Sequence, residues 1–573
     1  MQFVTSLFIF LVPTLSLIFL QYLPQILSRL LYNSSSSPAA ARKSSSTLDL
    51  LRSSSTVSPS SVWCCECNRG QRCCDFRNLY FFPQERTFGF VLTDASAVHG
   101  LTSAEDMQRL LVGSVVNHTQ FFLPLVVFTD LDPVLKTVKT ILREKLFLLK
   151  RFKPDNVMHA VHDDLLPLFS RFETLCSRDV ETCSKTILLT LLDNNLQDVN
   201  SAWYSLLSAQ RIFKLSELKE PVLISEVYTG LPGSTVVFQY GFGQPQGAVS
   251  QAGNSVGIYQ RFSQFVKNRL KIKHEQQEPD TFKVVLISRK ETRKILNEEE
   301  VSNFVISSFQ NTFGFSTNID LQLFDPSGES VHEMVDTFGK ADFIIGMHGA
   351  ATFLAGVFSR PNASIVEMFP FGINPTAVSP LQALSEIKGA WFSYVSWENK
   401  DLRASVPPSE EAPRLLGGLA HLSEEERKFA KKLIPVPAVY CCHNATYLYR
   451  MFQDTIVGPS VQYSILKAIE FLRRGRAESW THTFLVPSGV RDLVCLSEAE
   501  GTKMFWKAPL NVHSMRRKEF LKFEISARSV VGDLYEVTET KLFSEFEDQV
   551  IREAWVRACT LDTCGKDAYV LCK

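Results

Sequence analysis

Residues 159–164 read His-Ala-Val-His-Asp-Asp and place two imidazoles next to two carboxylates. Either group can take the proton of a hydroxyl as that hydroxyl attacks another centre, provided that it lies within hydrogen-bond reach. On a regular helix His159 and Asp163 share one face, whereas the neighbours His162 and Asp163 point about 100° apart. The spacing indicates a general base, although an Asp-Asp pair could instead cap a helix or pair locally.

A second stretch, Met347-His348-Gly349-Ala350, predicts an anion site. An apolar run ends at His348, and a helix of small residues is predicted to start near Ala350. Gly349 lets the backbone approach a ligand closely, and the first N–H groups of such a helix attract negative charge. The spacing differs from that of a Walker loop, which argues against a kinase-like phosphate cradle. A lone histidine is more often structural than functional, so the role assigned to His348 depends on its context.

Basic residues supply that context. Arg289 and Arg293 follow Ser288 at the end of a predicted strand, and arginine binds phosphate oxygens in bidentate fashion. Glu367 closes the strand after His348, where a carboxylate could accept hydrogen bonds from a ribose diol. The alternatives are a solvated basic surface and a structural ion pair. Together the residues predict a pocket for a nucleotide diphosphate.

The elements that must position these groups alternate between strand and helix. Short apolar runs predict strands at 282–289, 318–325, 342–348 and 363–370, with amphipathic segments between them. This alternation predicts an α/β fold with a parallel sheet, whose ligands bind at the carboxyl ends of the strands. No Asp-x-Asp follows a strand in this half. We therefore expect arginine and a helix N-terminus, and no metal ion, to neutralise the diphosphate.

The flanking regions differ in pattern. Residues 156–175 have helical periodicity, and residues 185–192 and 221–228 resemble strands, which predicts a second α/β domain. From about residue 487 onward, short runs rich in Val, Phe, Tyr and Trp are bounded by turn residues. These runs predict a small β-sandwich with Trp506 and Trp555 in its core.

The N-terminus has no charged side chain before Arg29, and residues 3–23 are long and apolar enough for a membrane helix. A cleaved signal peptide is the alternative. Residues 29–62 form a Ser-rich stem that cannot bury enough apolar surface to fold. The nearest basic residues follow the apolar segment, which by the positive-inside rule favours a cytosolic body.

Other features favour a lumenal body. N-x-Ser/Thr sequons occur at Asn33, Asn117, Asn362 and Asn444, and the 13 cysteines cluster in a way that suits disulfides better than zinc. Cys176 and Cys183 could close a short loop. Lys+Arg and Asp+Glu both number 60, so no overall basic field exists to attract nucleic acid.

Five blocks resemble a family of secretory-pathway glycosyltransferases that act on protein O-mannose, and they occur in the same order as in that family. The wider family includes the EGF-domain O-GlcNAc transferase and plant xylosyl- and arabinosyltransferases. The blocks are RFKPDNVMHAVHDDLLPLF, QYGFGQPQG, SRKETRKILNEEE, MHGAATFLAGVFSRPNASIVEMFPFGINP and CCHNATYLYRMFQD. Residues 176–235 match poorly, and the helix after His-Gly-Ala is less polar than is usual there.

The resemblance implies the GT-B plan, with two Rossmann-like domains and a fibronectin type III-like domain. The implied domains are a membrane anchor at 1–28, the stem at 29–62, an acceptor-side domain at 63–270, a nucleotide-sugar domain with a return helix at 271–475, and the β-sandwich at 485–573. The implied location is the endoplasmic reticulum membrane, as a single-pass type II protein with a lumenal catalytic body.

The implied activity is inverting transfer of GlcNAc from UDP-GlcNAc, in β1,4 linkage, to O-mannose on a glycoprotein such as α-dystroglycan. By the resemblance Asp163 is the base, with His162 second, and Arg151, Asn156 and His159 lie on the acceptor side. The donor residues are Ser288, Arg289, Arg293, Met347, His348, Gly349, Ala350 and Glu367. No metal or other cofactor is expected. Two alternatives remain, which are transfer to EGF-domain Ser/Thr and an inactive relative that binds a glycan or a protein partner.

Overall fold

The computed structural model describes part of the chain, and every structural statement below concerns that part. The described residues are 57–68, 71–101, 106–113, 122–129, 132–193, 199–240, 246–249, 256–273, 281–432, 436–437, 440, 443–475, 479–480, 489–498, 501–509, 521–559, 564 and 567–573. The predicted membrane segment, most of the stem, Asn33 and Asn117 lie outside these ranges. No helix in the described ranges is both long and apolar enough to cross a bilayer.

The first half of the chain builds a nine-stranded sheet. Its strands are β1 (Ser61–Asn68), β2 (Gln71–Phe82), β3 (Thr87–Val91), β4 (Val98–His99), β5 (Arg109–Leu111), β6 (Phe122–Phe128), β7 (Thr140–Leu149), β8 (Ile187–Leu191) and β9 (Val222–Thr229). Strands β8 and β9 confirm the two strands predicted from the sequence. A separate short pair consists of β10 (Phe238–Gln239) and β11 (Gly247–Ala248).

This sheet is mixed and not the parallel sheet of a Rossmann-like domain. Strand β7 runs parallel to β8 and β9, but β2 pairs in antiparallel fashion with β1, β3 and β9. The reason lies in the connections. Only a few residues separate β1 from β2 and β2 from β3, and such short turns can join antiparallel neighbours only.

Helices cover one side of this half. They are α1 (Val157–His159), α2 (Leu166–Leu175), α3 (Val180–Thr186), α4 (Ser201–Tyr204) and α5 (Val256–Arg269). Residues Ala160–Leu165, between α1 and α2, wind as a π-helix, and the N–H of Leu166 donates to the carbonyl of Val161. π-Helical turns inside helices are rare and occur often at functional sites.

The second half contains the predicted parallel sheet. Its strands are β12 (Thr281–Ile287), β13 (Asn318–Phe324), β14 (Phe343–Met347), β15 (Ser364–Phe369), β16 (Ser393–Glu398) and β19 (Ser479–Trp480). The strands β17 (Ser405–Val406) and β18 (Asp454–Thr455) form a separate, short antiparallel pair. The strand order is β13-β12-β14-β15-β16-β19, and every pairing is parallel. The carboxyl ends of β12, β14 and β15 are therefore neighbours, and these ends carry the predicted donor residues.

The helices of this half lie on both faces of the sheet. They are α6 (Glu298–Phe313), α7 (Val331–Lys340), α8 (Ala350–Phe358), α9 (Pro375–Val378), α10 (Pro380–Ser385), α11 (Glu424–Lys432), α12 (Ala445–Met451) and α13 (Val461–Arg474). Helix α13 packs with α6 on one face, through a core that includes Val301, Val305 and Ile465.

Helix α8 joins the two halves. Its side chains share one hydrophobic cluster with α1, α2 and α5 of the first half. The Phe353 ring lies 5.7 Å from the His162 ring, and the Phe358 ring lies 5.9 Å from that of Trp203, measured between centroids. The helix that begins beside His348 therefore contacts the π-helical turn that carries Asp163.

The C-terminal residues form two antiparallel sheets that share one core. The first sheet contains β20 (Arg491–Glu498), β21 (Gly501–Lys507) and β24 (Phe543–Glu547). The second sheet contains β22 (Lys522–Ser529), β23 (Leu534–Glu539), β25 (Ile551–Cys559) and β26 (Ala568–Leu571). Trp506 from the first sheet and Ile525 from the second enter the same cluster. Trp506 lies in this core, as predicted, whereas Trp555 is buried outside it, against Tyr569 and Arg528.

Five disulfides support the oxidising environment expected for this chain. They join Cys64 to Cys74, Cys67 to Cys73, Cys176 to Cys183, Cys495 to Cys572 and Cys559 to Cys564. The short loop predicted between Cys176 and Cys183 is present. Cys65 is a free, exposed thiol, and Cys441 and Cys442 lie outside the described residues.

Candidate functional site

The carboxylate of Asp163 bridges two histidines. Its Oδ2 lies 2.6 Å from Nδ1 of His159, and its Oδ1 lies 2.5 Å from Nδ1 of His162. The contact between the adjacent residues His162 and Asp163 was not expected, because neighbours diverge on a regular α-helix. The turn is π-helical instead, which changes the direction in which its side chains project.

The protonation pattern of His162 follows from its two partners. The backbone N–H of Val237 donates to Nε2 of His162 at 3.2 Å. Nε2 is therefore an acceptor, so the ring proton sits on Nδ1 and is donated to Asp163. Both nitrogens of His162 are engaged, and the side chain has no exposed surface.

His159 is the member of this group that reaches the surface. Its side chain is 10% exposed, whereas those of His162 and Asp163 are completely buried. The ring packs between Phe152 and Tyr240, with centroid distances of 5.3 and 4.7 Å. An imidazole held by a carboxylate at one nitrogen is the arrangement that general-base histidines use.

The structure does not bring Arg151 and Asn156 to this group as predicted. The Arg151 side chain is buried, donates to both oxygens of Asp193 and to the carbonyl of Val199, and lies over the Tyr204 ring. The Asn156 Oδ1 accepts from the N–H of Met158 and caps α1. Their contacts therefore favour positioning the helix over touching an acceptor.

The donor side is organised around Glu367. The Nδ1 of His348 lies 2.8 Å from Oε1 of Glu367, and the His348 ring stacks on Phe369. Both oxygens of Glu367 accept further bonds, from the hydroxyls of Thr352, Ser379 and Tyr394. The Tyr394 hydroxyl is completely buried, and burial together with this carboxylate raises its pKa well above the usual range.

Glu367 is therefore saturated by protein groups and is only 1% exposed. These contacts disfavour the predicted bond to a ribose diol. They favour a positioning role, in which the carboxylate fixes the orientation and the Nδ1 proton of His348 and leaves Nε2 to face outward. The sequence alone does not distinguish a carboxylate that binds a ribose diol from one that positions a neighbouring histidine.

We expect Glu367→Gln to lower the free energy of unfolding by about 1–3 kcal/mol. The amide nitrogen would replace one acceptor among four donating groups, so at least one buried donor would lose its partner. Chemical denaturation would measure the loss. Glu386→Gln is the matched control, because the Glu386 carboxylate is bonded to Gln382 and lies near the surface. Equal stability of wild type and Glu367→Gln would contradict the positioning role.

Arg289 and Arg293 converge at Gly349, where α8 begins. A Cβ atom on Gly349 would lie 2.8 Å from Nη1 of Arg289 and 3.4 Å from Nη1 of Arg293, so a side chain there would displace the end of Arg289. The Arg293 Nη1 donates to the carbonyl of His348 at 2.8 Å, and its Nε is buried and has no hydrogen-bond partner. Arg289 and Arg293 are therefore close to His348 and Gly349, as predicted.

The two guanidinium groups carry the same charge and lie close together. Neither forms an ion pair with a carboxylate among the described residues. Burial, followed by the neighbouring Arg289, holds the pKa of Arg293 well below its usual range. Arg293 also adopts a φ of 56°, and Phe452 lies under its guanidinium. An anion at this point would relieve both the desolvation and the repulsion.

The remaining predicted donor residues differ in exposure. Ser288 is buried, and its hydroxyl accepts from Nζ of Lys290. Met347 is 1% exposed and belongs to the core of the parallel sheet, so its side chain does not line the anion site. Ala350 is the first residue of α8.

Several residues of the site carry no signal in the sequence. The backbone of Val237 and the side chains of Thr352, Ser379, Tyr394 and Phe452 are brought in by the fold. A metal position is formed by Glu524 with Cys559 and Cys564, but that cysteine pair is a disulfide and offers no thiolate ligands.

A parallel sheet with an anion site at its strand ends, next to a buried His-Asp pair, defines a class of nucleotide-dependent transferase. Residues 159–366 match the family described as Glycosyltransferase 61. The match begins at His159, includes Arg289, Arg293 and His348, and ends one residue before Glu367.

Similar proteins narrow this class. The chain is 29% identical over 471 residues to "Protein O-linked-mannose beta-1,4-N-acetylglucosaminyltransferase 2" of Xenopus laevis, with 79% of this chain and 77% of the relative covered. The same protein of Xenopus tropicalis is 29% identical with the same coverage, and that of Mus musculus is 29% identical over 66% of this chain and 64% of its own length. Among solved structures, the extracellular region of rat CD45 (domains d3–d4) covers 15% of this chain and 48% of its own length with 10% identity and a TM-score of 0.13, which carries no argument.

Proposed function

We propose that the protein is an inverting glycosyltransferase that moves GlcNAc from UDP-GlcNAc to O-linked mannose on a glycoprotein, forming a β1,4 linkage. The observation that carries the proposal is the pair of partly buried arginines whose guanidinium groups meet at Gly349, one helix away from the His159–Asp163 pair. The relatives named O-linked-mannose transferases give the substrates. The proposal needs both an anion site for the leaving diphosphate and a base for the acceptor.

The donor side stabilises the leaving group. As the bond between C1 of GlcNAc and the diphosphate oxygen breaks, negative charge grows on UDP. Arg289, Arg293 and the first N–H groups of α8 are placed to receive this charge, and His348 can donate a further hydrogen bond through Nε2 when that nitrogen is protonated. We propose that these groups act without a metal ion.

The acceptor side takes the proton. The 4-hydroxyl of mannose attacks C1 from the face opposite UDP, and one displacement converts the α-linked donor into a β-linked product. We propose that His159 accepts the hydroxyl proton and that Asp163 orients the ring and stabilises the imidazolium. This refines the sequence-based choice of Asp163 as the base and of His162 as second, because both of those side chains are completely buried.

The remaining features of the family are also proposals for this chain. They are a GT-B arrangement of the two α/β halves, a fibronectin type III type of C-terminal sandwich, a type II membrane anchor and a lumenal location in the endoplasmic reticulum. The mixed first sheet departs from a strict Rossmann-like half, while the five disulfides support an oxidising compartment.

A transfer assay tests the proposed function. Full-length protein would be incubated with several UDP-sugars against an O-mannosyl peptide and an EGF-like domain, and the products would be linkage-mapped. Transfer of GlcNAc to the mannosyl peptide in β1,4 linkage is expected. Transfer to the EGF-like domain alone would overturn the acceptor, and a protein that binds UDP but transfers nothing would be an inactive relative.

Deletion of residues 485–573 is expected to reduce transfer to an O-mannosylated protein by about tenfold more than hydrolysis of UDP-GlcNAc by water. We base this on the hypothesis that the C-terminal sandwich holds the acceptor protein close to the active site, which raises its effective concentration. Product quantification for both reactions would measure the difference. Equal losses in the two reactions would instead indicate that the sandwich supports folding.

A further inference from the structure

We propose that Asn444 carries an N-linked glycan and that the first sugars of this glycan occupy a cavity of about 700 Å³ at the start of α12. The inference is independent of the proposed transferase activity. It concerns the chain as an acceptor of sugar and not as a catalyst. Three observations carry it, which are the geometry of the Asn444 side chain, the lining of the cavity and the redox state of the cysteines.

Asn444 begins the sequon Asn-Ala-Thr and caps α12. Its Oδ1 accepts from the backbone N–H of Tyr447 at 3.0 Å. Glycosylation joins the sugar to Nδ2 and leaves Oδ1 unchanged, so the cap and the glycan can coexist. The helix cap fixes the side-chain torsions, and it thereby fixes the direction in which an attached sugar leaves the backbone.

Asn444 itself lines the cavity, so a sugar on Nδ2 would be attached at the cavity wall. The lining also includes two aromatic residues, Tyr440 and Phe429, and Phe429 is 51% exposed. Aromatic rings of this kind pack against the C–H faces of sugar rings. His421, His443 and Glu425 supply donors and acceptors for hydroxyl and acetamido groups around the same space. Ligand pockets commonly enclose about 300–1,000 Å³, a range that includes this cavity.

The redox state of the chain matches the compartment in which such glycans are added. Ten cysteines of the described residues form five disulfides, as in proteins that fold in an oxidising lumen. The other described sequon gives a useful contrast. Asn362 lies in an exposed turn with a φ of 65°, so a sugar on it would extend from the surface.

The glycan is transferred to Asn444 from a lipid-linked donor. The C1–O bond between the reducing-end GlcNAc and a polyisoprenyl diphosphate breaks, and a bond between C1 and Nδ2 of Asn444 forms. The Nδ2 proton passes to the transferring enzyme or solvent, and the lipid diphosphate leaves with the electron pair. The sugar is added before folding, which allows it to settle into the cavity as the chain folds.

Glycopeptide mass spectrometry of the full chain, produced in a cell with a secretory pathway, tests the modification. We expect most copies to carry a hexosamine-based glycan on Asn444. Asn444→Asp should lower the intact mass by one glycan, and this variant keeps the helix cap because aspartate caps as well as asparagine does. An unmodified Asn444 in folded protein from that cell would overturn the proposal.

A comparison of melting temperatures tests whether the glycan occupies the cavity. Asn444→Asp should melt roughly 2 °C below wild type, whereas the matched change Asn362→Asp should leave Tm unchanged. In a Phe429→Ala background the effect of Asn444→Asp should shrink, because the glycan has lost its aromatic wall. An occupied Asn444 with equal Tm values in both backgrounds would show a glycan that extends into solvent and would overturn the second half of the proposal.

Discussion

Asp163→Asn is expected to lower kcat for GlcNAc transfer by about 10²- to 10⁴-fold while the affinity for UDP stays unchanged. Asparagine cannot accept from both histidines, because its amide group donates where the carboxylate accepts. His159 would then lose the partner that holds its Nδ1 proton, and the ring would present the wrong tautomer to the acceptor hydroxyl. Steady-state kinetics with an O-mannosyl peptide, together with UDP titration, would measure both quantities.

Two further variants distinguish His159 from Asp163 as the base. If His159 takes the proton, His159→Gln should be as damaging as Asp163→Asn, and the double variant should be little worse than either, since the residues act as one unit. The wild-type rate should fall towards acid pH as the base becomes protonated, and His159→Gln should lose that dependence. A His159→Gln enzyme with nearly full activity would return the role to Asp163.

The adjacent carboxylate provides the matched control. Asp164 follows Asp163 on the same turn, but its Oδ2 accepts from the hydroxyl of Tyr204 and not from either histidine. Asp164→Asn keeps an oxygen for that bond, so we expect activity close to that of wild type. Equal damage from the two Asp→Asn changes would indicate that the turn had unfolded, and a lower Tm would identify that case.

The parallel sheet could be predicted from the sequence because its strands are short apolar runs separated by amphipathic helices. In a parallel sheet the carboxyl ends of all strands lie at one edge, which groups Arg289, Arg293 and His348, whereas the adjacency of β12 and β14 is seen only in the structure. Gly349 was selected for close approach to a ligand, and the structure shows that the glycine first makes room for the end of Arg289. The local pattern and the global topology agree in this half of the chain.

The first half was harder to predict because its decisive features are not periodic. The antiparallel strands before residue 92 depend on short turns, and the π-helical turn at Ala160–Leu165 has no composition of its own. A helical wheel for an α-helix separates His162 from Asp163, although the two side chains are hydrogen-bonded. Glu367 illustrates a different limit, since its role depends on Ser379 and Tyr394, which arrive from later elements.

Arg293→Met is expected to weaken UDP binding by about 10- to 150-fold, which corresponds to the loss of a charge-assisted contact of about 1.5–3 kcal/mol. Methionine keeps much of the side-chain volume beside Met451 and Phe452, so the change removes charge more than packing. Calorimetric titration would measure the affinity. The salt dependence of UDP binding should also become weaker, because one of the two cations at Gly349 is gone.

Uridine separates a diphosphate contact from general damage to the pocket. Uridine has no phosphate, so its affinity should be the same for wild type and for Arg293→Met if Arg293 binds the diphosphate. Gly349→Ala should reproduce the selective loss of UDP, because the new Cβ would lie 2.8 Å from Nη1 of Arg289 and would displace it while the charge remains. A parallel loss of uridine and UDP would place Arg293 elsewhere in the nucleotide site, and unchanged affinity for both would remove the arginine pair from the donor pocket and leave the N-terminus of α8 as the remaining group for the diphosphate.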